Sequence, residues 1–170
     1  MMLLLAVVNI GFAVADNTSD LNRETDRVMS LIEHGKFTEA RHSLALLSAK
    51  VPIDDEVLMR HIDFGLVRCA VELRDNEAEQ MMLAFLRRYP ESVHVNDVRF
   101  LLAMYYCERE EYNKARTYLD HVSYKALTTD NKERYNMRMG YIEFTTGNYD
   151  KAYELFSTLS PSGNYADHAV

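Results

Sequence analysis

The sequence has little of what interrupts regular secondary structure. Its 170 residues include 3 prolines, 6 glycines and no tryptophan. Because proline and glycine mark turns and loops, their scarcity favours long helices over a β fold with many turns. With 48% hydrophobic and 26% charged residues, the chain is predicted to be globular and not disordered. We therefore expect an all-α fold.

The chain also lacks a cluster of positive charge. It carries 26 acidic and 19 basic residues, for a formal net charge of -7, and its longest basic run is the pair Arg87 and Arg88. Phosphate backbones are bound by clustered cations that release counterions. Nucleic acid is therefore not an expected partner.

Cysteine and catalytic motifs are scarce as well. Cys69 and Cys107 have no C-x-x-C spacing, and each falls on a predicted apolar helix face. Free buried thiols are therefore favoured over a bridge, because free cysteine packs like a small hydrophobe. The six histidines are scattered, so no metal site is expected. The sequence has neither a G-x-S-x-G elbow nor a glycine-rich phosphate loop, and we predict no catalytic centre and no cofactor.

The N-terminus resembles an export signal. Residues 1–15, MMLLLAVVNIGFAVA, are apolar apart from Asn9 and end in a small-x-small pattern at Ala13 and Ala15. This pattern predicts a secretory signal removed after Ala15, which would place the protein in the periplasm or cell envelope. The segment is shorter than the roughly 20 apolar residues that span a bilayer. Because the positively charged start of a typical signal is missing, two alternative interpretations of this segment remain, a buried N-terminal helix and a retained membrane anchor.

A helix-turn-helix pattern recurs along the chain, at residues 34–47, 73–86, 108–122 and 145–159. In each unit a polar turn precedes a helix with an alanine near its start and bulky apolar residues four and seven positions later. The alanines are Ala40, Ala78, Ala115 and Ala152, spaced 38, 37 and 37 residues apart. Alanine permits two helices to cross closely. We therefore predict eight helices in four antiparallel pairs.

Turn and cap residues support this division. Gly35 and Gly147 suit the left-handed geometry that ends a helix, whereas the second turn has residues 74–76, Arg-Asp-Asn, in place of glycine. An aromatic residue precedes the alanine by three positions in three units and is expected to wedge the turn. Helix N-caps are predicted at Asp54 or Asp55, at Asn96 and at Asp130. The aromatic residues are Phe37, Tyr112 and Tyr149.

This pattern resembles the tetratricopeptide repeat family over residues 20–164. The first helices of that family carry a small residue and an aromatic, and its second helices are followed by a proline. The matching residues are Ala103, Gly140, Tyr106, Pro52 and Pro90. The period here is three or four residues longer than the family's usual period of about 34. Longer repeats of this sort are similar to those of bacterial envelope proteins.

The resemblance implies a right-handed α-solenoid of about four helical hairpins over residues 16–164. Residues 165–170 look like the start of a further helix, so the array is expected to continue beyond the chain. In this family the first helices line an inner binding face. Carried over by position, that face holds a strip of aromatic and methionine side chains: Phe100, Met104, Met137, Tyr141 and Phe144.

Methionine and aromatic residues suit surfaces that bind a partner helix or an extended peptide. The same strip could instead be packing between neighbouring repeats. We expect a non-enzymatic scaffold that binds a protein or peptide partner in the bacterial cell envelope, with outer-membrane association through that partner. Two alternatives stay open. One is a module that binds a glycan or peptide ligand, and the other is the regulatory arm of a longer enzyme.

Overall fold

The computed structural model describes residues 19–159, and α-helices dominate this span. α1 covers residues 19–33, and within residues 19–159 no strand occurs. The other helices are α2 Phe37–Ser48, α3 Glu56–Glu72, α4 Ala78–Arg88, α5 Val95–Glu108, α6 Tyr112–Leu119, α7 Thr129–Thr145 and α8 Tyr149–Phe156, with a 3-10 turn at Tyr124–Ala126. The expected signal at 1–15 and the further helix at 165–170 lie outside the described residues.

The chain divides between Phe85 and Leu86, inside α4, into two compact units. In the first unit, α1, α2 and α3 share one apolar core, and α3 approaches its neighbours closely. A Cβ at Gly65 would lie 2.7 Å from both Leu44 Cδ1 and Met29 Sδ. The buried core residues are Leu21, Val28, Ile32, Ala40, Leu44, Leu47, Leu58, Ile62 and Cys69.

In the second unit, consecutive helices from α5 to α8 pack against one another. The two helices of the last hairpin cross closely. A Cβ at Gly140 on α7 would lie 2.6 Å from the ring of Phe156 on α8. This glycine therefore lets α7 and α8 approach to a distance that any other side chain would prevent.

The four hairpin turns share one backbone geometry. Gly35, Arg74, Glu110 and Gly147 all have positive φ, at 72°, 53°, 58° and 82°. The residue after each donates its N–H to the carbonyl five positions back, which is the Schellman hydrogen bond that ends a helix. The expectation for the two glycines is confirmed, and two non-glycine residues adopt the same conformation.

The recurring alanines are the other shared feature. Ala40, Ala78, Ala115 and Ala152 are all buried. The N–H of each donates to a carbonyl of the preceding turn. The acceptor lies three residues back for Ala78 and four residues back for the other three alanines. A small residue is therefore needed where the second helix of each hairpin leaves its turn, as the spacing predicted.

Two of the three predicted N-caps are wrong. Asp55 does cap α3, accepting the Leu58 N–H at 3.0 Å. α5 begins after His94, and Asn96 instead accepts the backbone N–H of Ser123 at 2.6 Å, which fixes the loop after α6. α7 is capped by Thr128 and not by Asp130, because the threonine hydroxyl already accepts an N–H of the first turn.

Cys69 and Cys107 are buried and unbridged, as expected. Burial raises the pKa of both thiols, that of Cys107 to about 11. At neutral pH both side chains are therefore protonated apolar packing groups.

Candidate functional site

The predicted strip lies on α5 and α7, and its members differ in exposure. Phe100 and Met104 are buried, with the Arg134 guanidinium 5.5 Å from the Phe100 ring centroid. Met137 is half-buried, while Tyr141 and Phe144 are 45% and 53% exposed. The part of the strip that can touch another molecule is therefore the C-terminal half of α7.

The exposed end of the strip continues onto α8. Tyr149 and Tyr153, four residues apart on one helix face, are 64% and 74% exposed. The Phe144 and Tyr149 rings meet edge to face across the last turn, with centroids 5.5 Å apart. We call Tyr141, Phe144, Tyr149 and Tyr153 the aromatic patch. Tyr149 contacts Phe144 across the turn, but most of its surface faces solvent.

Tyr141 is the member of the patch whose ring also packs against a neighbouring helix. Its ring lies 5.3 Å from that of Tyr112 on α6. Burial raises the pKa of Tyr112, and its hydrogen bond with Tyr141 raises that pKa further. Tyr141 thus both contributes exposed surface and holds α7 against α6.

A buried charge cluster lies beside the aromatic patch. Glu143 on α7 is only 1% exposed. Arg116 Nη1 on α6 donates a hydrogen bond to Oε1 at 3.0 Å, whereas Arg116 Nη2 lies 3.0 Å from Oε2 as an ion-pair contact without hydrogen-bond geometry. Lys151 Nζ lies 2.7 Å from Oε1, and Asn148 Nδ2 donates to Oε2 at 2.8 Å. Each carboxylate oxygen therefore has two partners, and three helices or their turns meet at one side chain.

This arrangement keeps Glu143 ionised. The hydrogen bonds from Arg116, Lys151 and Asn148, with Arg116 the largest cause, together lower the pKa of the carboxyl to about 2, although burial alone would raise it. The same contact raises the pKa of Arg116. A carboxylate held as a permanent anion by a permanent cation has no proton to exchange at neutral pH. The cluster is built for structure and not for general acid-base chemistry.

An open groove of about 560 Å³ lies over the cluster. It is lined by Arg116, Glu143, Gly147, Asn148, Tyr149, Asp150 and Lys151. Its walls are polar except for the Tyr149 ring, which it shares with the aromatic patch. Within residues 19–159, no group of three or more His, Cys, Asp or Glu side chains is placed to hold a metal ion.

The charge cluster was not predicted from the sequence. Glu143 sits between Ile142 and Phe144 in a helix with an apolar face, and its main partner is 27 residues away. The repeat contained a signal that could have identified Glu143 as unusual. A shift of 37 residues places Glu143 on Tyr106, so an acid replaces an aromatic at a position that packs inward.

The fold has solved counterparts. MamA AMB-1 superimposes with a TM-score of 0.64 at 17% sequence identity, covering 89% of this chain and 79% of that one. A point mutant of MamA superimposes with a TM-score of 0.62 at 17% identity, over 88% and 78% of the two chains. The predicted all-α fold class, a tetratricopeptide-like solenoid, is thereby confirmed.

Comparison at the sequence level finds no match. No protein-family model matches the chain, and no curated protein matches it significantly. In the part of the chain that the structure describes, no helix is both long enough and apolar enough to cross a membrane.

Proposed function

We propose that this protein is a non-enzymatic scaffold that binds a protein partner through the aromatic patch. The observation that carries the proposal is the exposure of four aromatic side chains on one hairpin of a repeat fold. Tyrosine and phenylalanine bury large areas at little entropic cost, and such residues dominate binding surfaces. The fold similarity to MamA supports a scaffold role, because repeat folds offer extended binding surfaces.

The chemistry of the same hairpin supports a binding role over an enzymatic one. The buried carboxylate of Glu143 has its charge compensated by Arg116 and Lys151. The adjoining Tyr149 contributes exposed ring area and a hydroxyl group. A surface of this kind recognises a partner without transforming it.

We further propose export to the cell envelope, on the basis of residues 1–15. N-terminal sequencing of the protein recovered from a fractionated cell tests this. The mature chain is expected to begin at Asp16 in the envelope fraction. A chain that retains Met1 in the cytoplasmic fraction would show this location to be wrong.

A second candidate function is binding of a small glycan or peptide ligand in the groove over the charge cluster. Its polar walls and the exposed Tyr149 ring could hold hydroxyl groups on one side and stack on a sugar face on the other. Titration with glycans or short peptides, followed by shifts of the Tyr149 and Lys151 NMR signals, separates this candidate from protein binding.

Photo-crosslinking in the native cell tests the main proposal. A photoreactive phenylalanine analogue is placed at Phe144 or Tyr149, with Val93, an 87% exposed loop residue, as the control position. We expect a discrete protein adduct from the two patch positions and none from position 93. Equal adduct patterns at all three positions, or no adduct at all, would refute the scaffold function.

A further inference from the structure

The third hairpin, α5–α6, shows what the aromatic patch of the fourth hairpin, α7–α8, is suited to bind. A shift of 37 residues takes Glu110 to Gly147 and Ala115 to Ala152, so the two hairpins are equivalent position by position. The same shift takes Met104, Cys107 and Tyr112 to three of the four patch residues, which are Tyr141, Phe144 and Tyr149.

The equivalent positions differ sharply in exposure. Met104 and Cys107 are buried and Tyr112 is half-buried, whereas their counterparts on the fourth hairpin are all exposed. Two of the counterparts, Tyr141 and Phe144, are larger than Met104 and Cys107, and Tyr149 is the same residue type as Tyr112. The difference therefore comes from what covers each hairpin and not from smaller side chains.

On the α6 side of the third hairpin the cover is a helix, α7, which contacts Tyr112 and Arg116. It packs against α6 and lays Tyr141 against Tyr112, with ring centroids 5.3 Å apart. It also places Arg134 over the Phe100 ring at 5.5 Å and brings Glu143 to Arg116. One amphipathic helix thus covers this surface with an aromatic contact and a charged contact.

Building on the scaffold function, we propose that the aromatic patch is a docking surface for an amphipathic α-helix of the partner, seated on α7–α8 as α7 is seated on α5–α6. The proposed interface on α7–α8 repeats the interface that α7 forms with α5–α6 within the chain. The helix presents large apolar side chains at positions i, i+3 or i+4, and i+7, of which one lies against Tyr149 in the place that Tyr141 takes against Tyr112.

The charge requirements of the partner helix also follow from the equivalence. The counterpart of Arg116 on the fourth hairpin is Tyr153, a neutral side chain. The partner helix therefore needs no buried carboxylate like that of Glu143, and an apolar or hydrogen-bonding residue suffices there. Selectivity comes from the spacing and size of apolar residues, with Lys151 and Asp150 at the polar rim.

A displayed peptide library tests this with the full chain as bait. One arm contains 20-residue peptides of helix-compatible sequence with randomised apolar positions, and the other contains the same compositions with a central proline, which breaks helices. The selected peptides are then measured against Phe144→Ala/Tyr149→Ala. Tyr141 is left unchanged because it also contacts Tyr112. The matched control is Leu46→Ala/Val57→Ala, since these side chains are 54% and 68% exposed in the first unit.

We expect enrichment in the helical arm alone, with at least about tenfold weaker binding to the patch variant and unchanged binding to the control. Enrichment of proline-containing peptides, or of peptides that bind the patch variant equally well, would overturn helix docking. No enrichment would overturn it too, and is the result expected if the further helix that the sequence predicts from residue 165 onward takes this place. The scaffold function is judged separately, because adducts from Phe144 and Tyr149 in the cell do not depend on the partner's conformation.

Discussion

Replacing Glu143 by glutamine removes the charge from the buried cluster while keeping the shape of the side chain. The carboxyl pKa is lowered from 4.5 to about 2 in the folded protein. A difference of this size corresponds to about 3 kcal/mol of stability at neutral pH. Arg116 is 29% exposed and Lys151 60% exposed, so both cations recover some hydration in the variant. We therefore expect Glu143→Gln to lower the free energy of unfolding by about 2 kcal/mol at pH 6.

The pH dependence provides the sharper measurement. Because the folded-state pKa of Glu143 lies below its unfolded-state value, the unfolded chain binds more protons between these two values. The contribution of Glu143 is thus complete above about pH 5 and is lost as the pH falls toward 2. By pH 3.5 the wild type should have lost about 1.4 kcal/mol from this one group, a tenfold change in the folding equilibrium. Glu143→Gln has no carboxyl group at this position, so its free energy of unfolding should not fall by this amount.

Urea unfolding followed by far-ultraviolet circular dichroism at pH 6 and pH 3.5 measures how the difference in unfolding free energy between wild type and variant changes with pH. Glu154→Gln is the matched control, because it makes the same chemical change at an exposed position of α8. The stability gap between wild type and Glu143→Gln should narrow by about 1.4 kcal/mol at the lower pH, while the gap for the control stays constant. A gap that is the same at both pH values would refute the charge cluster as a source of stability.

Two further predictions concern packing. Gly140→Ala should lower the free energy of unfolding by about 1 to 3 kcal/mol, because its Cβ meets the Phe156 ring. Adding Phe156→Leu to the Gly140→Ala variant should restore part of the lost free energy of unfolding, as measured by urea unfolding. By comparison, Gly147→Ala should lower the free energy of unfolding by only about 1 kcal/mol, because a Cβ there has open space although φ is 82°. Cys69 and Cys107 should react with Ellman's reagent at pH 8 only when the chain unfolds, because both are buried protonated thiols. Rapid reaction of either thiol in the folded protein would contradict its burial.

The repeat was predictable because its cause is local and recurs. A small residue is required wherever the second helix of a hairpin crosses the first closely, so Ala40, Ala78, Ala115 and Ala152 could be found from spacing alone. The turns were predictable only where glycine fills the left-handed position. Arg74 and Glu110 adopt the same φ because the Schellman hydrogen bonds on either side hold them there, and nothing in their identity reveals this.

The caps failed for a related reason. Asn96 has the right side chain to cap α5, but it instead bonds the backbone of Ser123, 27 residues later. Propensity describes what a side chain can do near itself, whereas the fold decides which backbone groups come within its reach. Exposure of the aromatic strip has the same limit. Phe100 and Tyr141 belong to one sequence pattern, yet Phe100 is buried and Tyr141 is 45% exposed, a difference that the pattern does not contain.

The charge cluster and the aromatic patch are best understood together. At the position of Glu143, the third hairpin has Tyr106, which stacks on Tyr118 with ring centroids 5.8 Å apart. The fourth hairpin replaces this stack by ion pairs to Arg116 and Lys151, which reach into α6 and α8. These directional contacts hold the hairpin together with the Tyr141–Tyr112 ring contact, while Phe144 and Tyr149 lie at the surface. A hairpin that packed its own aromatic side chains inward would have the same fold and no patch to offer a partner.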